Sequence, residues 1–292
     1  MYESGADGEG TPRMRTAQRP PPAARLCVLA SGSRANCSVL EINADGRRRV
    51  CLIDAGLSPG KTTKSLNEMG ISASEITDVF VTHMDMDHFH PGWARQRRLP
   101  GVLRLHKRHV SRADRLGLLG QKTLPFEDGP VELGRPGELP FAIIEPVLLS
   151  HDSDGCAAFR FTFRGERSLG FATDLGRVTR RLTDHLAGVD VLAIESNYCP
   201  EMQRNSDRPE FLKRRIMGGS GHLSNQEAAK AVAQIRPREH VVFLHLSQQC
   251  NDPGAVASMH EGADYAFTIA DQHDPTRWIG VGEHALADRL FP

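Results

Sequence analysis

The sequence predicts a layered α/β fold, in which helices cover the faces of β-sheets. Short apolar runs of strand length come first in pairs and then alternate with segments of helical periodicity, an order typical of layered α/β proteins. The predicted strands are Leu26–Ala30, Ser38–Ile42, Val50–Ile53, Asp78–Thr82, Val102–Leu105, Phe141–Leu149, Ala157–Phe163, Ser168–Ala172, Asp190–Ile194 and His240–Leu244. The predicted helices are Lys61–Met69, His109–Leu119, Val178–Leu186, Pro209–Met217 and Asn225–Ile235.

The last predicted helix has the clearest boundaries in the sequence. Ser224 offers a side-chain oxygen at its start and Glu227 follows three residues later, which together predict a capping box. Pro237 lies just beyond its end, where it cannot continue a helix. No internal repeat at a fixed period interrupts this order of elements.

Length and composition predict one folded domain that is preceded by a polar N-terminal tail. The chain has 292 residues, of which 39% are hydrophobic, enough for a sizeable core. Residues 1–24 are rich in Gly, Pro, Arg and Ala without periodicity, so we expect a disordered tail there and one domain over residues 25–292. The formal net charge is zero, which excludes a globally basic nucleic-acid binder and leaves only a local patch for such a partner.

The cysteines indicate a reducing compartment. They are not arranged in CxxC pairs, so neither a zinc ribbon nor a disulfide framework is predicted and reduced thiols are expected. No apolar run approaches the ~18 residues that span a membrane, and the N-terminal segment lacks the apolar stretch of a secretory signal. We therefore expect a cytoplasmic protein without a membrane partner, while nothing in the sequence predicts its oligomeric state. The cysteines are Cys27, Cys37, Cys51, Cys156, Cys199 and Cys250.

One predicted strand ends in a cluster of metal-binding side chains. The apolar run Val79–Thr82 is followed by His83, Asp85, Asp87 and His88. Imidazole nitrogens and carboxylate oxygens on one tight loop are suited to one or two divalent metals. An acidic, solvated loop with incidental histidines is the alternative, and it explains four such residues at this spacing poorly.

The same arrangement recurs at other strand ends, where ligands and catalytic groups collect in α/β sheets. The polar residues that follow or end these strands are Asp54, His151, Asp174, Glu195 and His245. Two metals at such a place lower the pKa of bound water toward ~7 and provide hydroxide at neutral pH. The expected ligands are His83, Asp85 and His151 for one ion, Asp87, His88 and His245 for a second, and Asp174 as a bridge.

With these residues assembled, the chain resembles the metallo-β-lactamase fold superfamily. That superfamily carries an HxHxDH loop followed by a lone His, a lone Asp and a late His. The resemblance implies an αββα four-layer sandwich with a dimetal site at one edge of its two sheets. Asp54 matches an early aspartate that orients the metal loop in the superfamily.

Further motifs resemble the WalJ/YycJ group within this superfamily. They are Ala30–Ser33, Asn36-Cys37, Leu52–Leu57, Leu149–Asp152, Ala172–Gly176, Glu195–Asn197, Phe211–Ile216, Gly221–Asn225 and His245–Ser247. The resemblance implies a metal-dependent nuclease with 5′-to-3′ DNA exonuclease activity. It also implies that Glu195 and His222 work as a pair, so that Asp87, Glu195 and His222 are the expected catalytic residues. A plain position next to the helix cap at Ser224 is the alternative for His222.

The chain departs from the superfamily pattern in two places. Asp85 replaces the second histidine of the loop, and its harder oxygen ligand favours manganese or iron over zinc. The segment after His88 is one residue longer than usual, and the inserted His90 is expected either to support the ligands or to be an exposed loop histidine.

Local basic and polar residues predict contacts with a substrate phosphate. The run Lys213-Arg214-Arg215 precedes His222 and is suited to neutralising phosphates. Ser33 and Asn36 lie in a turn-rich loop that either touches a phosphate or forms a plain tight turn. The arginine-rich stretch Arg95–Arg115 is expected to bind phosphate or to be a solvated face.

These observations predict a metal-dependent hydrolase, with a phosphodiesterase or nuclease acting on DNA as the favoured activity. The first alternative is a hydrolase of a small ester, thioester or lactone on the same fold. The second is a non-catalytic metal-binding protein. The pair Glu195 and His222, together with the basic run before it, favours a nucleic-acid substrate.

Overall fold

The structure is a computed structural model and describes residues 22–96, 99–120, 122–135, 137–151 and 153–282. Most of the predicted tail, residues 1–21, lies outside the described residues, as do Arg97 and Arg98 of the arginine-rich stretch. Ala24, the last residue of the predicted tail, begins the first strand. The prediction of one domain over 25–292 stays a prediction.

The first sheet has seven strands in the order β14-β1-β2-β3-β4-β5-β6. Its first half is antiparallel, and β3, β4, β5 and β6 run parallel. Labels follow chain order throughout. Its strands are β1 (Ala24–Ala30), β2 (Cys37–Ala44), β3 (Arg47–Ile53), β4 (Ile76–Val81), β5 (Val102–His106), β6 (Thr123–Phe126) and β14 (Ile279–Val281).

The second sheet repeats this design with seven strands in the order β13-β12-β11-β10-β9-β8-β7. The pairs from β7 to β10 are antiparallel, and those from β10 to β13 are parallel. Its strands are β7 (Val131–Leu133), β8 (Ala142–Leu149), β9 (Cys156–Phe163), β10 (Ser168–Ala172), β11 (Val191–Glu195), β12 (His240–Leu244) and β13 (Ala266–Ile269).

Three apolar clusters arrange these sheets into four layers. The central cluster joins Leu40 and Phe80 of the first sheet to Phe159 and Phe171 of the second. The other two clusters pack helices on the outer faces of the first and second sheets. The helices are α1 (Pro59–Glu68), α2 (Gly92–Gln96), α3 (Val110–Arg115), α4 (Arg180–His185), α5 (Pro200–Asn205), α6 (Glu210–Met217), α7 (Asn225–Ile235) and α8 (Pro253–Met259).

This architecture confirms the predicted αββα sandwich and most of its elements. The capping box of α7 is present, because Ser224 accepts from the Glu227 amide while the Glu227 carboxylate accepts from the Ser224 amide. The predicted helix His109–Leu119 is shorter, since α3 covers only Val110–Arg115 after a 3₁₀ turn. Within the part of the chain that the structure describes, no helix combines the length and the hydropathy needed to cross a bilayer.

The elements that the sequence did not predict are short. Strands β6, β7, β13 and β14 have three or four residues each, too few for an alternating pattern to be visible. Helices α2, α5 and α8 have five to seven residues. A helix of two turns or fewer shows no helical periodicity in its sequence.

Candidate active site

The ends of β3, β4, β8, β10, β11 and β12 meet at one edge of the sandwich, because these strands all point the same way. Three residues there bend the chain through the left-handed region: Asp54 (φ 60°), Asp174 (φ 51°) and His245 (φ 58°). This conformation is unfavourable for residues other than glycine, and it is often found at functional sites. The bends bring polar side chains from separate strands to one place.

All seven predicted metal ligands lie in this place. The ligand atoms of His83, Asp85 and His151 are within 4.8 Å of one another. A second group of ligand atoms satisfies the same limit and consists of Asp87, His88, Asp174 and His245. These two groups contain the residues of the two predicted ligand sets. A third group within the same limit consists of Asp174, Glu195, His222 and His245.

Asp174 lies between the two groups. Its Oδ2 atom is 3.2 Å from His88 Nε2, 3.3 Å from His83 Nε2 and 3.6 Å from His151 Nε2. Its Oδ1 atom forms a short contact with His245 Nδ1. Burial favours the protonated carboxyl, but His245 and His88 outweigh it and hold the pKa of Asp174 well below its usual range. The carboxylate is therefore charged and faces imidazoles of both groups, as expected of a bridging ligand.

Hydrogen bonds from outside the cluster fix the orientation of two imidazole rings, those of His88 and His151, so that one ring nitrogen of each faces the ligand cluster. His88 Nδ1 donates to Asp54 Oδ2 at 2.7 Å, and Asp54 also accepts from the amide and hydroxyl of Thr82. His151 Nδ1 donates to the Gly221 carbonyl at 3.1 Å. In both rings the Nε2 atom faces the cluster, which is the arrangement found around metal-bound histidines.

The predicted pair Glu195 and His222 is formed beside the cluster. His222 Nδ1 donates to Glu195 Oε1 at 2.5 Å. The Glu195 side chain is fully buried, and its other oxygen accepts from the amides of Leu175 and Leu223. Burial lowers the pKa of His222, but the Glu195 carboxylate outweighs this effect and raises the pKa to about 9. The imidazole is therefore held protonated near neutral pH.

Asp85 has a partner that the sequence did not reveal. Its Oδ1 atom accepts from Arg112 Nη1 of α3 at 2.6 Å. Its Oδ2 atom lies 3.7 Å from His83 Nε2 and so faces the ligand cluster. Arg112 thus offsets the negative charge that the exchange of His for Asp introduces.

A cleft of roughly 350 Å³ opens above these residues. Its floor includes candidate ligands together with His222, and its wall is formed by the segment from Arg208 to Gly221. The residues that line it are Ser33, Asp85, Asp87, His151, Asp174, Asn197, Arg208, Leu212, Arg215, Ile216, Gly221, His222, His245 and Gln249.

Comparison with known proteins agrees with this geometry. Residues 48–246 match the family described as the beta-lactamase superfamily domain. The chain belongs to the metallo-β-lactamase fold superfamily. The superfamily fold implies divalent metal ions, and the two ligand groups at the sheet edge are the candidates for holding them.

Two relatives in this superfamily are similar over most of their length. Exodeoxyribonuclease WalJ from Streptococcus pneumoniae serotype 2 (strain D39 / NCTC 7466) is 29% identical over 229 residues, which cover 78% of this chain and 83% of the relative. Exodeoxyribonuclease YycJ from Bacillus anthracis is 29% identical over 229 residues, covering 77% and 83%.

Solved structures share the fold at low sequence identity. The metallo-beta-lactamase fold protein YhfI from Bacillus subtilis has a TM-score of 0.64 and 13% identity, covering 87% of this chain and 98% of its own. The short form of human tRNase Z has a TM-score of 0.58 and 16% identity, covering 86% and 98%.

The donor set fits the divalent ions of the superfamily. The buried His83 Nε2 atom has no hydrogen-bond partner among the described residues, although buried polar atoms are normally paired. Burial and the neighbouring His88 lower the pKa of His83 well below its usual value, so the ring is neutral. A neutral imidazole that faces carboxylates is a competent metal ligand.

Some predicted residues lie away from the cleft. Asn36 is buried, does not line the cleft, and approaches His88 Nε2 at 2.9 Å through its amide nitrogen. Its side chain also pairs with the backbone of Gly32, as in a tight turn, and its contact with phosphate stays a prediction. The His90 ring accepts from the Gly92 amide at 3.0 Å. Within the described residues, its side chain forms no hydrogen bond with a predicted metal ligand. Its place is at the start of α2.

The predicted basic run is divided by the structure. Arg215 lines the cleft, as does Ser33. Lys213 turns away and donates to the Arg204 carbonyl at 2.7 Å, and Arg214 is exposed outside the cleft. The run occupies α6, and successive helix residues point in different directions.

Three of the six described arginine and lysine residues of the arginine-rich stretch pair with acids, namely Arg104, Lys107 and Arg112. Arg104 Nε binds the buried Asp78 at 2.6 Å, and Lys107 pairs with Glu127. None of its residues lines the cleft. The solvated, ion-paired face is therefore the better description of this stretch.

Proposed function

We propose that this protein is a metal-dependent nuclease that hydrolyses phosphodiester bonds of DNA in the 5′-to-3′ direction. The observation that carries the proposal is the Glu195–His222 pair, which lies against two groups of candidate metal ligands within one cleft. The names of two relatives, both exodeoxyribonucleases, support DNA as the substrate. The six free cysteines support a reducing, cytoplasmic location.

We assign two divalent ions to the site. When bound at such a site, two metals polarise the phosphodiester and lower the pKa of water, so that a nucleophile is available at neutral pH. One ion is assigned to the first ligand group and one to the second, with Asp174 shared between them. The ligands proposed are His83, Asp85 and His151 for the first ion, and Asp87, His88 and His245 for the second.

We expect the first ion to be manganese or iron and not zinc. Asp85 supplies a hard carboxylate oxygen where the superfamily pattern has a softer imidazole. Arg112 holds Asp85 Oδ1 at 2.6 Å, and Asp85 would be one of the residues that hold the first ion.

His222 is the proposed proton donor. Its Nδ1 atom is committed to Glu195, so the Nε2–H is left for a group in the cleft. The pKa of about 9 keeps this proton in place near neutral pH, until the leaving oxygen of a cleaved phosphodiester takes it up. The same N–H can hold a non-bridging phosphate oxygen before cleavage, and both roles lower the barrier to hydrolysis.

The remaining residues position this machinery. Asp54 fixes the tautomer of His88, and the Gly221 carbonyl fixes that of His151. Fixed tautomers keep both Nε2 atoms available as ligands without reorganisation. Gly221 and His222 are consecutive in the chain, so the segment whose carbonyl orients His151 of the first ligand group also carries the proton donor.

Cleavage assays on labelled nucleic acids test the proposal. Metal-stripped protein is refilled with manganese, iron or zinc and incubated with 5′-labelled single- and double-stranded DNA and RNA. We expect metal-dependent cleavage of DNA from the 5′ end, with loss of activity in His222→Ala and Asp174→Ala. Absence of cleavage with every metal, despite two bound ions per chain, would contradict a nuclease and favour a small ester, thioester or lactone substrate.

A further inference from the structure

We propose that Arg208 forms a second phosphate subsite in the cleft, which binds a phosphate adjacent to the one that is cleaved. The inference rests on the proposed nuclease function and adds to it a specific contact with the substrate strand. Arg208 lines the same cleft as His222 and Asp174. It lies in the short connection between α5 and α6, where Pro209 follows it.

The guanidinium of Arg208 is held in place by side chains from two segments, α5 and the loop that follows β12. Its Nε atom donates to Gln249 Oε1 at 3.2 Å, Nη1 to Gln203 Oε1 at 3.1 Å and Nη2 to Ser247 Oγ at 3.2 Å. A guanidinium has five N–H groups, so these bonds leave one on each terminal nitrogen. Two parallel N–H groups at the end of a fixed fork match two oxygens of a phosphate.

Every one of these partners is neutral, whereas several other arginines among the described residues bind carboxylates. Arg49 and Arg104 bind the buried Asp78 carboxylate, and Arg112 binds Asp85. No acidic side chain pairs with Arg208 among the described residues. Its positive charge is therefore not offset locally, and it faces a cleft where an anionic substrate is expected.

Gln203 shows that this position is built into the fold. Its side chain is fully buried and its Oε1 atom faces Arg208, while its Nε2 atom has no hydrogen-bond partner among the described residues. Turning the amide around would place its N–H groups against the guanidinium, donor against donor. The buried amide therefore directs its oxygen to Arg208, although an unpaired buried nitrogen is unfavourable.

The inference is tested by the binding of thymidine dinucleotides whose internal linkage is a methylphosphonate. That linkage is uncharged and resists hydrolysis, so binding reports the terminal phosphate and does not depend on cleavage. Three ligands are compared on the metal-loaded protein by calorimetry: one with a 5′-phosphate, one with a 3′-phosphate and one with neither. We expect one of the phosphorylated ligands to bind roughly 10- to 100-fold more tightly than the unphosphorylated one.

Variants then assign the preference to Arg208. Arg208→Gln should remove the preference and leave binding of the unphosphorylated ligand unchanged. Arg208→Lys should keep part of it, because lysine retains the charge but loses the fork. Arg204→Gln is the matched control, since Arg204 is exposed on α5 outside the cleft, and it should leave all three affinities unchanged.

Two outcomes would overturn the inference. One is equal affinity of the wild-type protein for all three ligands, which would mean that no second phosphate is recognised. The other is a loss in Arg208→Gln that is equally large for the unphosphorylated ligand, which would give Arg208 a structural role or a place at the cleaved linkage. Failure of the nuclease proposal is recognised separately, as absence of DNA cleavage by a protein that still shows the phosphate preference.

Discussion

The floor of the cleft and the part of its wall around Arg208, called the rim below, hold their charged side chains in opposite ways. On the floor, the carboxylates of Asp54, Asp174 and Glu195 each face an imidazole and are enclosed by the strand ends. On the rim, the guanidinium of Arg208 is fixed by neutral oxygens alone. The difference indicates a floor that is suited to cations and proton transfer, and a rim that is suited to anions.

The two regions also differ in how the backbone places them. Floor residues follow buried parallel strands, and Asp54, Asp174 and His245 adopt the strained left-handed conformation. Arg208 lies between two short helices and depends on side chains from α5 and from the loop that follows β12. We therefore expect substitutions on the floor to change metal binding and chemistry, and substitutions on the rim to change substrate affinity.

The largest effect is expected for His222→Ala. Loss of a positioned proton donor should lower kcat by roughly 10²- to 10⁴-fold, while the bound metal per chain stays as in the wild type. Steady-state cleavage kinetics and elemental analysis of the same samples measure both quantities. His273→Ala is the control, because His273 is exposed and lies outside the cleft. Loss of an ion in His222→Ala would make His222 a ligand and remove the separation between proton donor and metal site.

The next largest effect is expected for Asp54→Asn on the floor. Asp54 accepts from both the Thr82 amide and His88 Nδ1. An asparagine has only one oxygen, so its NH2 group faces one of these donors and the hydrogen bond that orients His88 is weakened or lost. Metal affinity should fall about 10- to 100-fold, as measured by competition with a chelating indicator.

Asp78→Asn is the matched control for Asp54→Asn. Asp78 is another fully buried carboxylate, but it binds Arg49 and Arg104 away from the site. In this control the free energy of unfolding measured with urea should fall, and the affinity for metal should stay unchanged. Equal loss of metal affinity in both variants would show that the effect of Asp54 is a general loss of stability.

A smaller effect is expected for Arg112→Gln, and its sign should depend on residue 85. With Asp85 present, removal of the salt bridge should weaken manganese binding by roughly threefold to tenfold, since a partly exposed ion pair contributes about 1 kcal/mol. In an Asp85→His background the cation has no carboxylate to bind, so Arg112→Gln should leave the affinity unchanged or raise it. The test measures the manganese and zinc affinities of the wild type, Arg112→Gln, Asp85→His and the double variant. The same loss of affinity in both backgrounds would contradict the role given to Arg112.

The smallest effect concerns acid stability away from the cleft. Burial lowers the pKa of His240 and His260 below 6.5. Below that pH the unfolded chain binds protons that the folded chain does not, so the free energy of unfolding should fall as the pH decreases toward the folded pKa values. Urea unfolding of His260→Gln should show a shallower decrease than the wild type, whereas His273→Gln should not. An unchanged slope in His260→Gln would contradict burial of a neutral imidazole.

The floor was predictable from the sequence to a degree that the rim was not. Its residues follow apolar runs directly, as His83 follows β4 and Asp174 follows β10, so a strand pattern places them at one sheet edge. The pairing of Glu195 with His222 came from the family resemblance, because 27 residues separate them.

The rim escaped prediction because its geometry depends on burial and on distant partners. Arg208 has no local pattern, and its contacts with Ser247 and Gln249 join positions about 40 residues apart. Lys213 and Arg214 belong to the same basic run as Arg215, yet only Arg215 faces the cleft. A sequence shows the residue types of Asn36, His90 and Lys213 but not which way each side chain turns.

Titration of the metal-stripped protein with manganese or iron tests the central claim most directly. Cleavage of 5′-labelled DNA is measured after each addition, together with the metal bound per chain. The account predicts no cleavage without metal and a rate that rises until two ions are bound, with a lower plateau when zinc is used. Full activity in the stripped protein, or a plateau at a single ion, would contradict the assignment of the floor as a two-metal nuclease site.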